Sequence, residues 1–189
     1  RAGYAVEINA LWYNAVCYML KLAEEAKDNT FIKEWKDMPE LIRTSFVETF
    51  WNEELGYLAD YVDEKGQNLD VRPNQVFACS LTYSPITDDM KERVLKVVTR
   101  ELLTPKGLRT LSPKNPKYHG HYEGNQDERD NAYHQGTVWP WLIGAYIEAN
   151  LKLYGKQFLP EAKELLEGFE EDMALYGLCS IAEVYDGDP

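Results

Sequence analysis

Basic residues are scarce in this chain. Lys and Arg number 20 against 32 Asp and Glu, which leaves a formal charge of −12. A nucleic-acid backbone would be repelled over most of such a surface, so no nucleic-acid partner is expected. Cysteine is scarcer still: Cys17, Cys79 and Cys179 are odd in number, lie far apart and include no CxxC. Cys17 and Cys79 sit within apolar runs and read as buried thiols of a reducing, cytoplasmic compartment. No stretch approaches the ~20 apolar residues of a membrane span. No signal peptide opens the chain, although it begins at Arg1 rather than Met, so this absence proves little. No Gly/Ser linker or low-complexity tract divides the 189 residues, and residues 1–189 read as one unit with a sizeable core.

What is present is a run of helical patterns that alternate in character. Residues 5–22 are apolar almost all round, which predicts a helix buried on most sides. Residues 37–50 carry Met38, Leu41, Ile42, Ser45, Phe46 and Thr49 on one face, with charges opposite. Residues 74–81 are apolar again, and 87–103 place Met90, Val94, Val97, Val98 and Leu102 at helical spacing. Residues 138–153 are apolar and aromatic; 158–173 return to a stripe of Phe158, Ala162, Leu165, Leu166 and Phe169. Inner and outer helices in alternation fit hairpins stacked in two concentric layers, and three hairpins make half of an (α/α)6 barrel. Residues 55–62 alternate loosely, as a short strand pair would. The segment 104–135, rich in Pro, Gly, Tyr, His and Asn, is long for a connection, and long ordered loops are usually functional.

Three polar-aromatic clusters stand at predicted helix openings. The densest is Arg129-Asp130-Asn131-Ala132-Tyr133-His134-Gln135-Gly136-Thr137-Val138-Trp139-Pro140-Trp141. Indole faces beside amide, imidazole and charge suit a sugar, with its apolar C–H faces and rim of hydroxyls. The second is Asp70-Val71-Arg72-Pro73-Asn74-Gln75, where Pro73 fits a first helical turn. The third runs from Arg1 through Glu7 and Asn9 into Trp12. Each cluster alone could be a cap, a surface ion pair or packed core; three together suggest a shared pocket. His134 beside Gln135 reads as a hydroxyl-binding pair or as a structural histidine. Trp139 and Trp141, two apart on one predicted helix, cannot share a face. Five carboxylates compete for chemistry: Glu7, Asp70, Asp130, Glu183 and Asp186. Glu183 stands among apolar Ile181, Val184 and Tyr185, Asp130 could pair with Arg129 or cap a helix, and Asp186-Gly187-Asp188 could be a turn. Tyr118-His119-Gly120-His121-Tyr122 has the composition of a metal tract without further ligands at suitable spacing, so it reads as a loop rim. No metal or cofactor is expected.

Six ordered segments carry a resemblance over essentially the whole chain. They are Arg1-Ala-Gly-Tyr-Ala-Val-Glu-Ile-Asn-Ala-Leu-Trp-Tyr-Asn-Ala, Phe50-Trp-Asn, Arg72-Pro-Asn-Gln, Leu103-Thr-Pro-Lys-Gly-Leu-Arg-Thr-Leu, the Arg129–Trp141 motif, and Ser180-Ile-Ala-Glu-Val-Tyr-Asp-Gly-Asp. Together they resemble the C-terminal domain of glycogen debranching enzymes, in its bacterial and archaeal form, the amylo-α-1,6-glucosidase domain. The resemblance implies an all-α, (α/α)6 barrel of the six-hairpin glycosidase type, of which this chain would be the C-terminal half. It implies hydrolysis of α-1,6-linked glucose at branch stubs of glycogen or a branched α-glucan, with inversion. It makes Glu183 the general base, and places the sugar against Glu7, Asn9, Trp12, Arg72, Asn74, Gln75, Arg109, Arg129, Asp130, His134, Gln135, Trp139 and Asp186.

Inversion also needs a carboxylic acid to protonate the leaving oxygen. The family's acid is an aspartate after a Thr-Trp-Met run, a little before the segment matching Arg1, and no such run exists here. The chain also stops six residues past Glu183, where the family continues into a closing helix. The fragment alone is therefore expected to be inactive, and its partners to be the missing N-terminal half or another copy. Two other functions share these features: a trehalase- or glucoamylase-like glucosidase of the same fold, and a non-catalytic glucan-binding module.

Overall fold

Helices form most of the chain. A computed structural model describes residues 3–175 and 179–188, and these resolve into two compact units. The first holds Arg1–Leu69 and Asn74–Val94; the second holds Asp70–Pro73 and Leu95–Pro189.

In the first unit a short strand β1 (Tyr4–Ala5) leads into helix α1 (Val6–Ala26), followed by α2 (Asn29–Trp35) and α3 (Met38–Phe50). Two antiparallel ladders come next. Strands β2 (Trp51–Asn52) and β3 (Tyr57–Leu58) pair in register Trp51 to Leu58, while β4 (Tyr61–Asp63) lies between β1 and β5 (Gly66–Asn68). The loose alternation of 55–62 thus becomes β3 and β4, in two different ladders. Pro73 opens a single 3-10 turn, Pro73–Gln75, that runs into the short helix α4 (Val76–Ser80). Helix α5 (Asp88–Leu102) follows, running out of the first unit at Val94 and into the second, with Val94, Leu95, Val98 and Leu102 buried at helical spacing.

Helix α1 starts without a capping side chain at Ala5, and Asn9 donates back one turn to the Ala5 carbonyl at 2.8 Å. Lys27 ends the helix in the left-handed conformation, its N–H turned onto Ala23 and Glu24. The helix is not buried on most sides. Val6, Ala10, Val16 and Ala23 form one buried stripe, while Ile8 is 60% exposed, Trp12 49% and Met19 47%. Hydropathy reports which environment a surface would favour; α2, α3 and α4 cover only part of it. Helix α2 escapes the sequence reading because it is short and amphipathic over too few turns. Its start is nevertheless chemically plain: Asp28 accepts from the Thr30 and Phe31 amides at 3.1 and 3.0 Å.

The second unit is organised on a three-stranded antiparallel ladder, β6 (Leu103–Thr104), β7 (Gly107–Arg109) and β8 (Val138–Trp139). Around it stand α6 (Gln126–Ala132), α7 (Leu142–Tyr154), α8 (Leu159–Glu167) and α9 (Glu170–Leu175). Two boundaries differ from expectation. The helix predicted from 138 begins at Leu142, because Pro140 has no N–H to donate and Val138–Trp139 pairs with β7 instead. The helix predicted over 158–173 breaks after Glu167, where Gly168 lies so close to Pro105 that an added Cβ would meet its carbonyl at 2.9 Å. The long connection 104–135 also holds structure of its own: β7, and α6 with a reciprocal cap between Asn125 and Glu128.

Candidate active site

The polar-aromatic motif of residues 129–141 is fixed by its own backbone. Tyr133 ends α6, and its carbonyl accepts from the Thr137 hydroxyl at 2.7 Å and from the Trp139 indole N–H at 3.0 Å. That holds the Trp139 ring in one orientation. His134 stacks on it, 5.4 Å between centroids and 13° from parallel, and Tyr133 meets the same indole edge-on at 4.8 Å. Tyr122 packs against Tyr133 at 5.7 Å. Trp139 and Trp141 do not share a helix: Trp139 lies in β8, whereas Trp141 caps α7 and is 60% exposed.

Arg72 reaches this motif from the other end of the unit's sequence. Its guanidinium donates to the carbonyls of Thr110 (3.0 Å) and His134 (2.6 Å) and to Gln135 Oε1 (2.7 Å). Its role in the structure is thus a clamp on the His134–Gln135 turn. Burial pushes the His134 imidazole below its ordinary pKa, and the nearby Arg72 charge adds to the effect. The neutral ring is favoured, with one nitrogen to donate and one to accept.

Three chain segments cross behind this cluster. His119 donates its amide to the Gln135 carbonyl at 2.7 Å, and Gly187 donates to the Gly120 carbonyl at 2.5 Å. An added Cβ at Gly136 would collide with the His119 carbonyl, and one at Gly187 with the Gly136 carbonyl. Only glycine lets the backbones approach so closely. Arg109, in β7, donates to the Gly187 carbonyl at 2.8 Å. Tyr118 donates to Asp188 at 2.8 Å, and its hydroxyl pKa is pushed up to about 12, first by burial and then by that bond. Asp186 accepts from the Tyr122 amide at 2.7 Å and lies 3.6 Å from His121. The segment 118–122, read from composition as a rim, is therefore a strap between two other segments. Asp186-Gly187-Asp188 is its anchor rather than a free turn. Among the described residues no group of three His, Cys, Asp or Glu could hold a metal ion.

Glu183 sits one step from this crossing. Tyr185 exchanges two backbone hydrogen bonds with Val138, at 2.9 and 3.0 Å, which docks the 183–188 segment on β8. Burial raises the Tyr133 hydroxyl pKa, and the nearby Glu183 carboxylate adds to the effect. The carboxylate is exposed, and Ile181 beside it is 46% exposed, so the apolar neighbours in sequence do not bury it. A third support comes from the β6–β7 turn. Lys106 pairs with Asp172 at 2.5 Å, donates to the Gly168 carbonyl at 2.5 Å, and lies 5.9 Å from the centre of the Tyr185 ring and 6.0 Å from that of Phe169.

Other predicted residues have local partners. Arg129 donates to the Gly124 carbonyl and to Gln126 at 3.2 Å; Asp130 accepts from Gln126 at 2.7 Å, inside α6 rather than at its cap. In the first unit Asn74 donates to Asp60 at 2.7 Å, and Gln75, 2% exposed, accepts from the Leu58 amide at 3.3 Å. Trp12 meets Trp35 edge-on at 6.2 Å, and Glu7 stands in the first turn of α1. Arg1 lies outside the described residues. Sequence reasoning passes over Tyr133, Asp60 and Lys106. Tyr133 could be found as the aromatic beside His134, and Asp60 as a lone carboxylate within the apolar run 57–62. Lys106 carries no signal, since it looks like any turn lysine.

Comparison with known proteins places these residues in a family. The profile of the amylo-alpha-1,6-glucosidase family matches residues 1–189. Glycogen debranching enzyme of Saccharomyces cerevisiae is 27% identical over 79% of this chain, which spans 12% of that relative's length. Among solved structures, neutral trehalase Nth1 from Saccharomyces cerevisiae superposes with a TM-score of 0.73 at 14% identity, covering 97% of this chain and 34% of trehalase. That likeness shows the fold: helical, of the six-hairpin glycosidase class expected from the sequence. The chain belongs to the amylo-alpha-1,6-glucosidase family of glycoside hydrolases.

Proposed function

We propose that this chain carries the general base and part of the sugar-binding surface of a hydrolase that removes α-1,6-linked glucose from the branch stubs of glycogen-like glucans, with inversion. It would do so as the C-terminal half of an (α/α)6 barrel, in the cytoplasm. The observation that supports this best is the exposed Glu183 carboxylate, near enough to Tyr133 to raise its pKa, where Tyr133 packs against the stacked rings of His134 and Trp139. An exposed carboxylate next to a fixed aromatic face is the arrangement needed to activate water against a stacked sugar.

In this reading Glu183 takes a proton from water as the water oxygen attacks the anomeric carbon. The bond to the leaving O6 breaks on the opposite face, and a carboxylic acid protonates that oxygen. The acid is an aspartate expected in sequence preceding Arg1. His134 and Gln135 meet hydroxyl groups, held in place by the Arg72 clamp. The name of the yeast relative supports the glucan, and the family description supports the α-1,6 linkage.

Replacing Glu183 by Gln keeps shape and removes the ability to accept the proton. In the natural protein, turnover on phosphorylase limit dextrin should fall ~10²–10⁴-fold with little change in KM. Normal turnover in Glu183→Gln would remove the base from this position. Faster hydrolysis of trehalose or maltose than of limit dextrin would keep the fold and reassign the sugar. Glucan binding with no hydrolysis at all would indicate a binding module.

A further inference from the structure

We infer that Tyr118 is a positioning residue for the reaction: its ring and hydroxyl join the His134–Gln135 turn to the segment that carries Glu183, and so set the base against the sugar surface. This rests on the reading of Glu183 as the base.

Glu183 is exposed, as are Ile181 and Ala182 before it, so packing around the side chain does not fix its place. The segment after it is tied at every residue. Tyr185 exchanges its two backbone bonds with Val138, and Asp186 accepts from the Tyr122 amide at 2.7 Å. Gly187 donates to the Gly120 carbonyl at 2.5 Å and accepts from Arg109 at 2.8 Å, and Asp188 accepts from the Tyr118 hydroxyl at 2.8 Å. The strap 118–122 thus bonds to residues 186, 187 and 188 in turn, and Tyr118 stands where it meets both of its neighbours. An added Cβ at Gly136 would lie 2.8 Å from Tyr118 Cε2, one at Gly120 2.9 Å from its hydroxyl oxygen, and one at Gly187 2.5 Å from the same oxygen. All three glycines are buried. Three segments therefore give up their side chains around one phenol, which is how a shared fixed point packs. The two ends of this side chain serve different neighbours. Its ring edge rests on Gly136, directly after Gln135, while its hydroxyl holds the 187–188 end of the base segment. Tyr118 is itself held: its amide donates to the Asn115 carbonyl at 3.0 Å, and Asn115 donates to Asp70 at 2.6 Å. Since burial pushes its pKa up to about 12, the hydroxyl keeps its proton, and so its bond to Asp188, wherever a carboxylate can serve as base.

The test uses the natural protein, with glucose release from limit dextrin and amide hydrogen exchange as its two readouts. Tyr118→Phe keeps the ring on Gly136 and removes the tie to Asp188, and circular dichroism with a thermal melt checks the fold. Its kcat should fall about tenfold, the usual worth of a hydrogen bond to a charged group, with KM changed less than about twofold. The split follows from the geometry, because the sugar turn keeps its support while the base segment loses its own. Exchange at the Asp186 and Gly187 amides should quicken, with the Gly136–Val138 amides unchanged. Asp188→Ala breaks the same bond from the other side and carries the same expectations should Tyr118→Phe fail to fold. The double variant should be no worse than Tyr118→Phe alone. An unchanged kcat in both variants overturns the inference, whatever the exchange shows. A raised KM with a normal kcat overturns it too, making Tyr118 a support of the sugar surface alone. Losses that add in the double variant mean that the two residues act apart, which also defeats it. Normal turnover in Glu183→Gln defeats instead the reading of the base, on which the exchange readout does not depend.

Discussion

Trp139 is held by a hydrogen bond through its indole N–H, which leaves the ring to serve as a rigid surface. If that surface stacks on glucose, Trp139→Ala should weaken binding of a branched oligosaccharide by ~1–3 kcal/mol in calorimetry. Unchanged affinity in a folded variant would return Trp139 to a packing role. At this scale the sequence is readable wherever chemistry is dense. His134, Gln135 and Trp139 stand in one motif, and the structure sets two of them ring on ring. It is less readable where a polar side chain is consumed by backbone. Arg72 looks like a donor for hydroxyls, yet two of its bonds go to carbonyls of residues far away in sequence. No local pattern announces such partners. Glu183 shows the opposite limit: apolar neighbours along the chain suggest burial, but a segment docked from Tyr185 onward leaves the side chain before it in solvent.

Elements differ in how they are legible. Helix α5 follows its apolar spacing closely, whereas α2 and α6 are each seven residues long, too short for periodicity to report. The two- and three-residue strands are set by pairing across distance, and only β3 and β4 leave a trace in sequence. The β6–β7 turn carries the clearest energetic consequence. Lys106 and Asp172 are 28% and 17% exposed, so removing the lysine leaves a partly desolvated carboxylate and two ring faces without their cation. Lys106→Met should cost about 2 kcal/mol of stability in denaturant unfolding, between the values for exposed and buried pairs. Hydrogen exchange at the Val184–Gly187 amides should quicken in the same variant, since Tyr185 loses its neighbour. Unaltered stability and exchange would mean that the pair is decorative.

For the molecule as a whole, the uncovered side of α1 matters most. Ile8, Leu11, Trp12, Tyr18, Met19 and Leu22 all remain exposed on one helix. Soluble monomers seldom leave more than a few hundred Å² of apolar patch open. A polypeptide limited to residues 1–189 should therefore self-associate in light scattering and release no glucose from limit dextrin. A monodisperse monomer with enzyme-like turnover would show that this face tolerates water and that an acid lies within these residues. No helix among the described residues is long and apolar enough to cross a membrane.

The crossing of three segments behind the aromatic cluster also imposes an order in time. Residues 119 and 136 belong to neighbouring stretches and can meet early, whereas Gly187 must travel back to both from much later in the chain. Contacts that span long separations form slowly, and synthesis proceeds from the N-terminal side. On the ribosome, the stacked rings of His134 and Trp139 can be in place before residue 183 exists. Glu183 then arrives after both rings, and if it is the base and they are the sugar surface, a polypeptide released before residue 183 would hold that surface with nothing to activate water.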